Sequence, residues 1–291
     1  MKQKGKMSGK KLKQMFVTYT FVLPDFIGLL VFIIIPIIYS FYMSLYDWNF
    51  ANIKQFIGIQ NYSEWWQSLG RTFKLTLLYV PALFILSILF AVLINYVKNE
   101  KAAGFVKTAF LLPYSITSVI ASCLWMFLYM DRSGFINVFL KAVGLKGEKF
   151  LGSTSQAMVC IAIVLIWINL GYNIILFLSA IKDIPYSYYE AAKLDGANSW
   201  QTFWKITFPL LKPTSVFVLI TSVIASFQCL DLIMVMTGGG PAKSTEVASL
   251  YIYKQSFEMM KAGYGAGLSV VMFLILTVLA VIMLKINGKE E

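Results

Sequence analysis

The sequence predicts an all-α membrane protein of six transmembrane helices, and three observations carry that prediction. Only 13% of its 291 residues are charged and 58% are hydrophobic, whereas a soluble globular domain carries roughly 25% charged residues. Apolar runs long enough to cross a hydrocarbon layer about 30 Å thick, which takes roughly 20 residues, recur along the chain. Lysines gather beside some of these runs and not others, the mark that separates cytoplasmic loops from outer ones. Backbone polar groups in lipid must be bonded within their own segment, so the runs are expected to be helices.

The first span is predicted over Phe16–Met43. A lysine-rich start followed by an apolar stretch also opens a signal peptide. This run is too long, is punctuated by Pro24 and Pro36, and lacks a small-x-small cleavage site, so it is read as a retained span. Lys2, Lys4, Lys6, Lys10, Lys11 and Lys13 precede it and place the N-terminus inside. The second span, Thr72–Val97, and the third, Phe105–Met130, are joined by a short link carrying Lys98, Lys101 and Lys107, again cytoplasmic. The loop after the third span dissents with Arg132, Lys141, Lys146 and Lys149, partly offset by Asp131 and Glu148. The fourth span is Gln156–Ala180, the fifth Phe208–Leu230 and the sixth Gly267–Lys285, so the C-terminus with Lys285 and Lys289 is also inside. The net charge of +11 would point a soluble protein toward nucleic acid. Here topology accounts for it, and no nucleic-acid partner is expected.

Cys123, Cys160 and Cys229 all fall inside spans, where free cysteine behaves as a small apolar residue. The absence of histidine removes His-based metal sites and His-dependent triads. No catalytic residue and no metal site is expected, and an intramembrane enzyme is the weaker alternative. A P-loop needs Gly-x-x-x-x-Gly-Lys followed by Ser or Thr to hold phosphates. "GLKGEKF" (144–150) has neither the spacing nor the hydroxyl, so the chain does not hydrolyse ATP by itself.

Between the fourth and fifth spans the oil stops. The stretch "DIPYSYYEAAKLDGANSWQTFWKITFPLLKP" reads as helix, turn, helix on the cytoplasmic side. Pro185 suits a first helical turn and Gly196 a left-handed helix end. Asn198 with Gln201 has capping-box spacing, and Pro209 and Pro213 mark the return to the membrane. Trp200, Phe203 and Trp204 share one face by their spacing, while Ala191 and Ala192 allow a close approach to another surface. The segment therefore reads as a docking element, with an amphipathic helix lying at the membrane interface as the alternative.

The run from Glu190 to Pro213, Glu-Ala-Ala-x-x-x-Gly followed by Phe-Pro-Leu-Leu-x-Pro, resembles the EAA loop of ABC importer permeases. "LPDFIGLLVFIIIPIIYSFYMSLYDW" (23–48), "FIGIQNY" (56–62), "FLLPYSITSVIASCLWMFLY" (110–129) and "MTGGGPAKSTE" (236–246) resemble the matching stretches of carbohydrate-importer permeases, the binding-protein-dependent inner-membrane components. The resemblance implies the type I ABC importer permease fold, with a cytoplasmic N-terminus over 1–15, a six-span permease domain over 16–285 containing a coupling loop at about 185–213, and a cytoplasmic tail over 286–291. It implies a multi-pass location in the plasma membrane of a prokaryote. The implied partners are a second homologous permease, two copies of an ABC ATPase that uses ATP and Mg, an extracytoplasmic solute-binding protein, membrane lipid and a sugar substrate. A homodimer remains open beside the family's heterodimer. No cofactor is expected on this chain itself.

The resemblance assigns ATPase coupling to Glu190, Ala191, Ala192, Asp195 and Gly196. Glu190 would pair with a basic group on the ATPase and Gly196 would supply the bend, while Asp195 either anchors the turn or is simply solvated. Polar residues inside spans are costly unless they face a cavity or a partner. Asn169, Tyr172 and Asn173 in span four, with Ser226 and Gln228 in span five, are the candidates for a substrate pathway, since amides, hydroxyls and aromatic planes suit a neutral sugar. The alternative is that such residues glue spans together. Asp231 is expected at the outer end of span five, and Gly238, Gly239, Gly240 and Pro241 are the candidate binding-protein contact, or only a helix break. Another solute, such as a phosphorylated glycerol, stays open as cargo. A stand-alone secondary transporter would show interrupted spans with midplane ionisable groups, and a channel a filter sequence.

Overall fold

The computed structural model describes residues 9–50, 55–62 and 65–287. Lys2, Lys4, Lys6 and Lys289 lie outside the described residues. The chain divides into two compact units, Met1–Ser63 with Gln255–Val271, and Glu64–Lys254 with Met272–Glu291.

In the first unit, α1 (Gly9–Leu29) widens through a π turn at Leu30–Ile34 and continues as α2 (Ile35–Met43). Among the described residues the helix is already present at Gly9, ahead of the Phe16 expected from hydropathy. The apolar part, Tyr19–Met43, is long enough to span, and Phe21 and Phe32 are 81% and 80% exposed. Two strands that the all-α expectation did not contain follow, β1 (Tyr46–Asp47) and β2 (Gln55–Phe56), paired antiparallel with Tyr46 opposite Phe56. They are short because Asn61 takes over. Its buried carboxamide donates to the carbonyls of Ser44 and Tyr46, both at 2.9 Å. Satisfying two buried carbonyls with one side chain explains what Asn does in "FIGIQNY".

The second unit is built on α3 (Trp66–Asn95) and the long helix that returns beside it. After α3 come α4 (Glu100–Leu111), α5 (Ser118–Leu128) and α6 (Phe135–Ala142), then α7 (Ala157–Asp183). The segment between the fourth and fifth predicted spans follows as α8 (Tyr186–Leu194), α9 (Ser199–Thr202) and α10 (Phe208–Leu210), leading into α11 (Lys212–Phe227). The chain closes with α12 (Asp231–Met236), α13 (Ala248–Tyr253) and α14 (Ala262–Asn287), the last running through both units. Leu75, Tyr79 and Leu83 stand one turn apart on α3 and are buried; Ile174, Phe177, Leu178 and Ile181 of α7 form a core with Leu211 and Val218. Phe84 meets Phe177 edge-on at 5.7 Å between centroids. In lipid such contacts hold helices by close packing, because lipid tails are as apolar as the side chains themselves.

Four helices are long and apolar enough to cross a membrane, and two bent pairs bring the number to six if each pair is one span. The third predicted span is one of these pairs. It breaks between α4 and α5 with a 101° bend, and the fifth bends by 67° between Ser199–Leu210 and Lys212–Phe227. At the first break Pro113 lies in a tight turn, Ile116 is extended and Thr117 caps α5 by accepting from the Ile120 N–H. If the pair is one span, interruption does not separate this fold from a secondary transporter. Two of the three π turns, Leu30–Ile34 and Phe203–Thr207 but not Lys254–Glu258, have a common cause: the wide bond is donated by Ile35 to Leu30 and by Phe208 to Phe203, each donor immediately preceding a proline, Pro36 or Pro209. A proline ring collides with the carbonyl one turn back, and the widened turn makes room for it.

Gly171 allows α7 to touch the end of α4. A Cβ there would fall on the Phe110 carbonyl and lie 2.7 Å from the Leu111 nitrogen. Gly171→Ala is accordingly expected to destabilise the protein by about 1–3 kcal/mol or more, since the backbone of a neighbouring helix must move. Gly104→Ala, where an added Cβ meets nothing within 4 Å, should leave stability unchanged or raise it by roughly 0.5–1 kcal/mol. Thermal unfolding of both variants in detergent measures the difference.

Candidate functional site

The candidate coupling region is held by its own backbone. The N–H groups of Gly196 and Ala197 return to the carbonyls of Lys193 (3.2 Å) and Ala192 (2.9 Å), the paired bonds that close a helix around a left-handed residue. Gly196 supplies that residue at φ +75°, with open space where a Cβ would stand. The constraint on Gly196 is thus conformational and not a clash with neighbours. Pro185 sits one position before α8, at its N-cap, with Tyr186 as the first helical residue. The capping box is complete: Asn198 Oδ1 accepts from the Gln201 N–H at 2.9 Å, and Gln201 Oε1 accepts from the Asn198 N–H at 3.0 Å.

Glu190, Ala191, Asp195 and Gly196 are exposed, while Ala192 is buried against the protein. Glu190 has no cationic partner among the described residues. Sequence reading missed Leu194, which is 89% exposed at the tip of α8. A leucine in that position has no internal use, and its signal was present as the one large apolar residue between Lys193 and Asp195. Trp200 and Trp204 pack edge-on at 5.6 Å, and Trp204 leans on Phe208 at 5.0 Å. Behind the loop a cavity of about 680 Å³ extends from the end of α3 to Tyr189 and Thr207.

The candidate pathway residues divide. Asn169 and Gln228 line one cavity of about 490 Å³, together with Tyr114, Thr117, Ser118 and Asp231, at the break between α4 and α5. Tyr172 stacks on Tyr114 with centroids 4.9 Å apart and planes 9° from parallel. Asn173 is buried and donates to the Asn169 carbonyl. Ser226 is fully buried, 2.8 Å from the Thr76 hydroxyl, and donates to the Val223 carbonyl. Neither Asn173 nor Ser226 lines that cavity. Tyr114, Thr117 and Ser118 were thus brought to the site by the bend, where Asp231 joins them from the start of α12, a relationship that residue spacing on a straight helix does not reveal.

The Gly-rich segment forms a closed loop. Gly238 and Gly239 take φ +57° and +94°, conformations glycine adopts without steric penalty. Thr245 Oγ1 donates to the Gly240 carbonyl at 2.7 Å and lies 2.8 Å from Thr237 Oγ1. Gly240 and Pro241 line a cavity of about 720 Å³ with Tyr129, Asp131 and Lys149. The loop is fastened by the buried carboxylate of Glu246, 3.3 Å from Lys254 Nζ and 3.9 Å from Arg71. Lys254 also donates to the Gly238 carbonyl at 2.8 Å. Sequence reading missed this cluster because Arg71 is far along the chain from Glu246 and Lys254. Among the described residues no group of three His, Cys, Asp or Glu gathers where it would hold a metal ion.

The cluster makes a quantitative expectation. Breaking a fully buried ion pair costs about 3–5 kcal/mol, but Arg71 and Lys254 keep 23% and 26% of their side-chain surface exposed. Glu246→Gln should therefore cost less, about 1–3 kcal/mol, and Lys254→Met should be worse than Arg71→Met because Lys254 is closer and also holds Gly238. Thermal unfolding of the three variants gives the order.

Comparison with known proteins places these features. The family model described as "Binding-protein-dependent transport system inner membrane component" matches residues 55–288. A probable starch degradation products transport system permease of Thermoanaerobacterium thermosulfurigenes is 31% identical over 279 residues, covering 94% of each chain. A lactose transport system permease of Rhizobium radiobacter is 34% identical over 272 residues, covering 90% of this chain and 91% of the relative. A chain in the crystal structure of a bacterial alginate ABC transporter, in complex with alginate pentasaccharide-bound periplasmic protein, superposes with a TM-score of 0.86 over 96% of both chains at 24% identity, a likeness of fold.

Proposed function

The chain belongs to the family of binding-protein-dependent transport system inner membrane components, and on that premise we propose that it is the permease subunit of an ATP-driven importer for a sugar or oligosaccharide, forming half of the translocation pathway. The family consists of membrane transport components and not of enzymes, and its permeases carry no cofactor of their own. The chain is a multi-pass membrane protein with apolar helices of spanning length.

The observation that carries the reading is the exposed helix, turn and helix at 186–202, braced internally by backbone bonds and a capping box yet presenting Glu190, Leu194 and Asp195 outward. A rigid element with outward charge and one bare leucine is suited to seat in a cleft of another protein and pass motion through α7, which ends at Asp183, and α11, which starts at Lys212. The partner for that element is an ATPase subunit in two copies, using ATP and Mg. A second homologous permease completes the pathway, and the exposed faces of the first helix suit lipid and that second subunit. An extracytoplasmic solute-binding protein docks at the loop containing Gly238, Gly239, Gly240 and Pro241. Sugar as cargo is supported by the starch-product and lactose relatives and by the cavity that joins Asn169 and Gln228 to the Tyr114–Tyr172 stack. Amides fix hydroxyl groups and aromatic planes cover the apolar face of a sugar ring.

Orientation is tested by labelling. In a variant lacking the three native cysteines, a cysteine at Lys193 should be shielded from an impermeant thiol reagent in right-side-out vesicles, and one at Lys243 should react. Both positions are exposed in the fold, so labelling at Lys193 from outside would reverse the topology and remove the docking assignment.

Coupling is tested by substitution. Gly196→Val forces a β-branched residue to φ +75°, a strain of about 1–3 kcal/mol, and should impair binding-protein-stimulated ATP hydrolysis more than it lowers the amount of folded chain. Glu190→Ala and Leu194→Asp should each reduce recovery of the ATPase with the purified permease, with Leu194→Asp the stronger because it places a charge in an apolar contact. Parental transport and ATPase recovery in all three variants would make the segment an interfacial helix instead.

A further inference from the structure

We infer that the cavity between the α3–α4 link and α7 is a binding site for the phosphate of an anionic phospholipid. Three elements converge there. Lys98 comes from the link, Lys107 from α4 and Lys182 from the last turn of α7, and all three line one cavity of about 370 Å³. None of them pairs with a carboxylate among the described residues. Glu100 lines the same cavity but stands in the first turn of α4, where the helix N-terminus already favours its charge. The cavity therefore gathers more positive than negative charge, and three ammonium groups facing a common space are relieved by an anion.

The walls decide which anion. Val97 and Leu178 line the cavity beside the lysines. Outside it, Tyr96 of the link and Phe105 of α4 are 67% and 75% exposed. A free phosphate has no use for an apolar wall, whereas a phospholipid places its phosphate among lysines and its acyl chains along exposed apolar side chains. The position gives the site leverage, because Lys182 and Asn95 line both this cavity and the larger one beneath the coupling helices. A bound headgroup would brace α7 two residues before Ile184, where the chain leaves for α8. The site is independent of the transported solute.

The experiment uses the full chain, purified with whatever subunits accompany it, and native mass spectrometry to count phosphatidylglycerol against phosphatidylcholine retained from equimolar mixtures. Phosphatidylglycerol should be preferred, by about fivefold for each lysine that meets the phosphate. The triple variant Lys98→Gln, Lys107→Gln, Lys182→Gln should fall to near parity while eluting as the parent does. The triple variant Lys141→Gln, Lys146→Gln, Lys149→Gln removes the same charge elsewhere and should keep the preference. Equal loss in both variants would reduce the effect to net charge and overturn the site. An unchanged preference in the first variant would overturn it as well. Displacement of phosphatidylglycerol by millimolar inorganic phosphate would overturn the lipid assignment.

Discussion

A backbone in lipid cannot leave its N–H and C=O groups unpaired, and every departure of this chain from straight helix is arranged around that constraint. The 101° break after α4 is closed by the Thr117 cap, and Pro36 and Pro209 are absorbed by π turns that keep the donor before each proline bonded. The segment between α7 and α11 closes one helix on Gly196 and opens the next on Asn198 with no donor left over between them. Bends are thus possible only where a specific residue supplies the missing bond. Those places are where the cavity of α5, α7, α11 and α12 and the exposed helices of 186–202 occur.

The same constraint makes α7 the axis of its unit. It is unbroken over Ala157–Asp183, packs along α3, and is met by the end of α4 at Gly171 without an intervening side chain. A displacement delivered at Ile184 has a continuous helix to act on. It reaches Asn169 and Tyr172, and hence the cavity at the bend, with no flexible joint on the way. The Glu246 cluster adds a second fixed point by tying the Gly-rich loop to α3.

Much of this architecture was legible in the sequence, and the limits have physical reasons. Hydropathy gave the spans, and cap chemistry gave the helix, turn and helix of 186–202 almost to the residue, because Gly196 and Asn198 with Gln201 act through local bonds. Bend angles were not legible, since Pro113 announces a break without a direction. Nothing in the spacing around Gly171 indicates that it lets the Phe110 carbonyl approach. The joining of Arg71 to Glu246 and Lys254 could not be read at all, since no local pattern links Arg71 to residues so distant along the chain.

Polar residues within spans show most clearly why a pathway is hard to read from composition. A hydroxyl in a helix can donate to the carbonyl one turn back, as Thr76, Ser122, Thr221, Ser269 and Thr277 all do here, and it then needs neither cavity nor partner. Ser226 goes further and meets Thr76 across the interface, so it serves helix association. Asn169 lines the cavity from the middle of α7 while donating to the Leu165 carbonyl; what distinguishes the others is position. Thr117 and Ser118 stand where α5 begins, and Gln228 and Asp231 stand beyond the end of α11 and at the start of α12. At a helix end the carbonyl one turn back is no longer the automatic partner, and a polar side chain is left available to water or solute. A pathway through helices is therefore sought at their breaks, and the residues that make a break are the ones that decide where solute can be held.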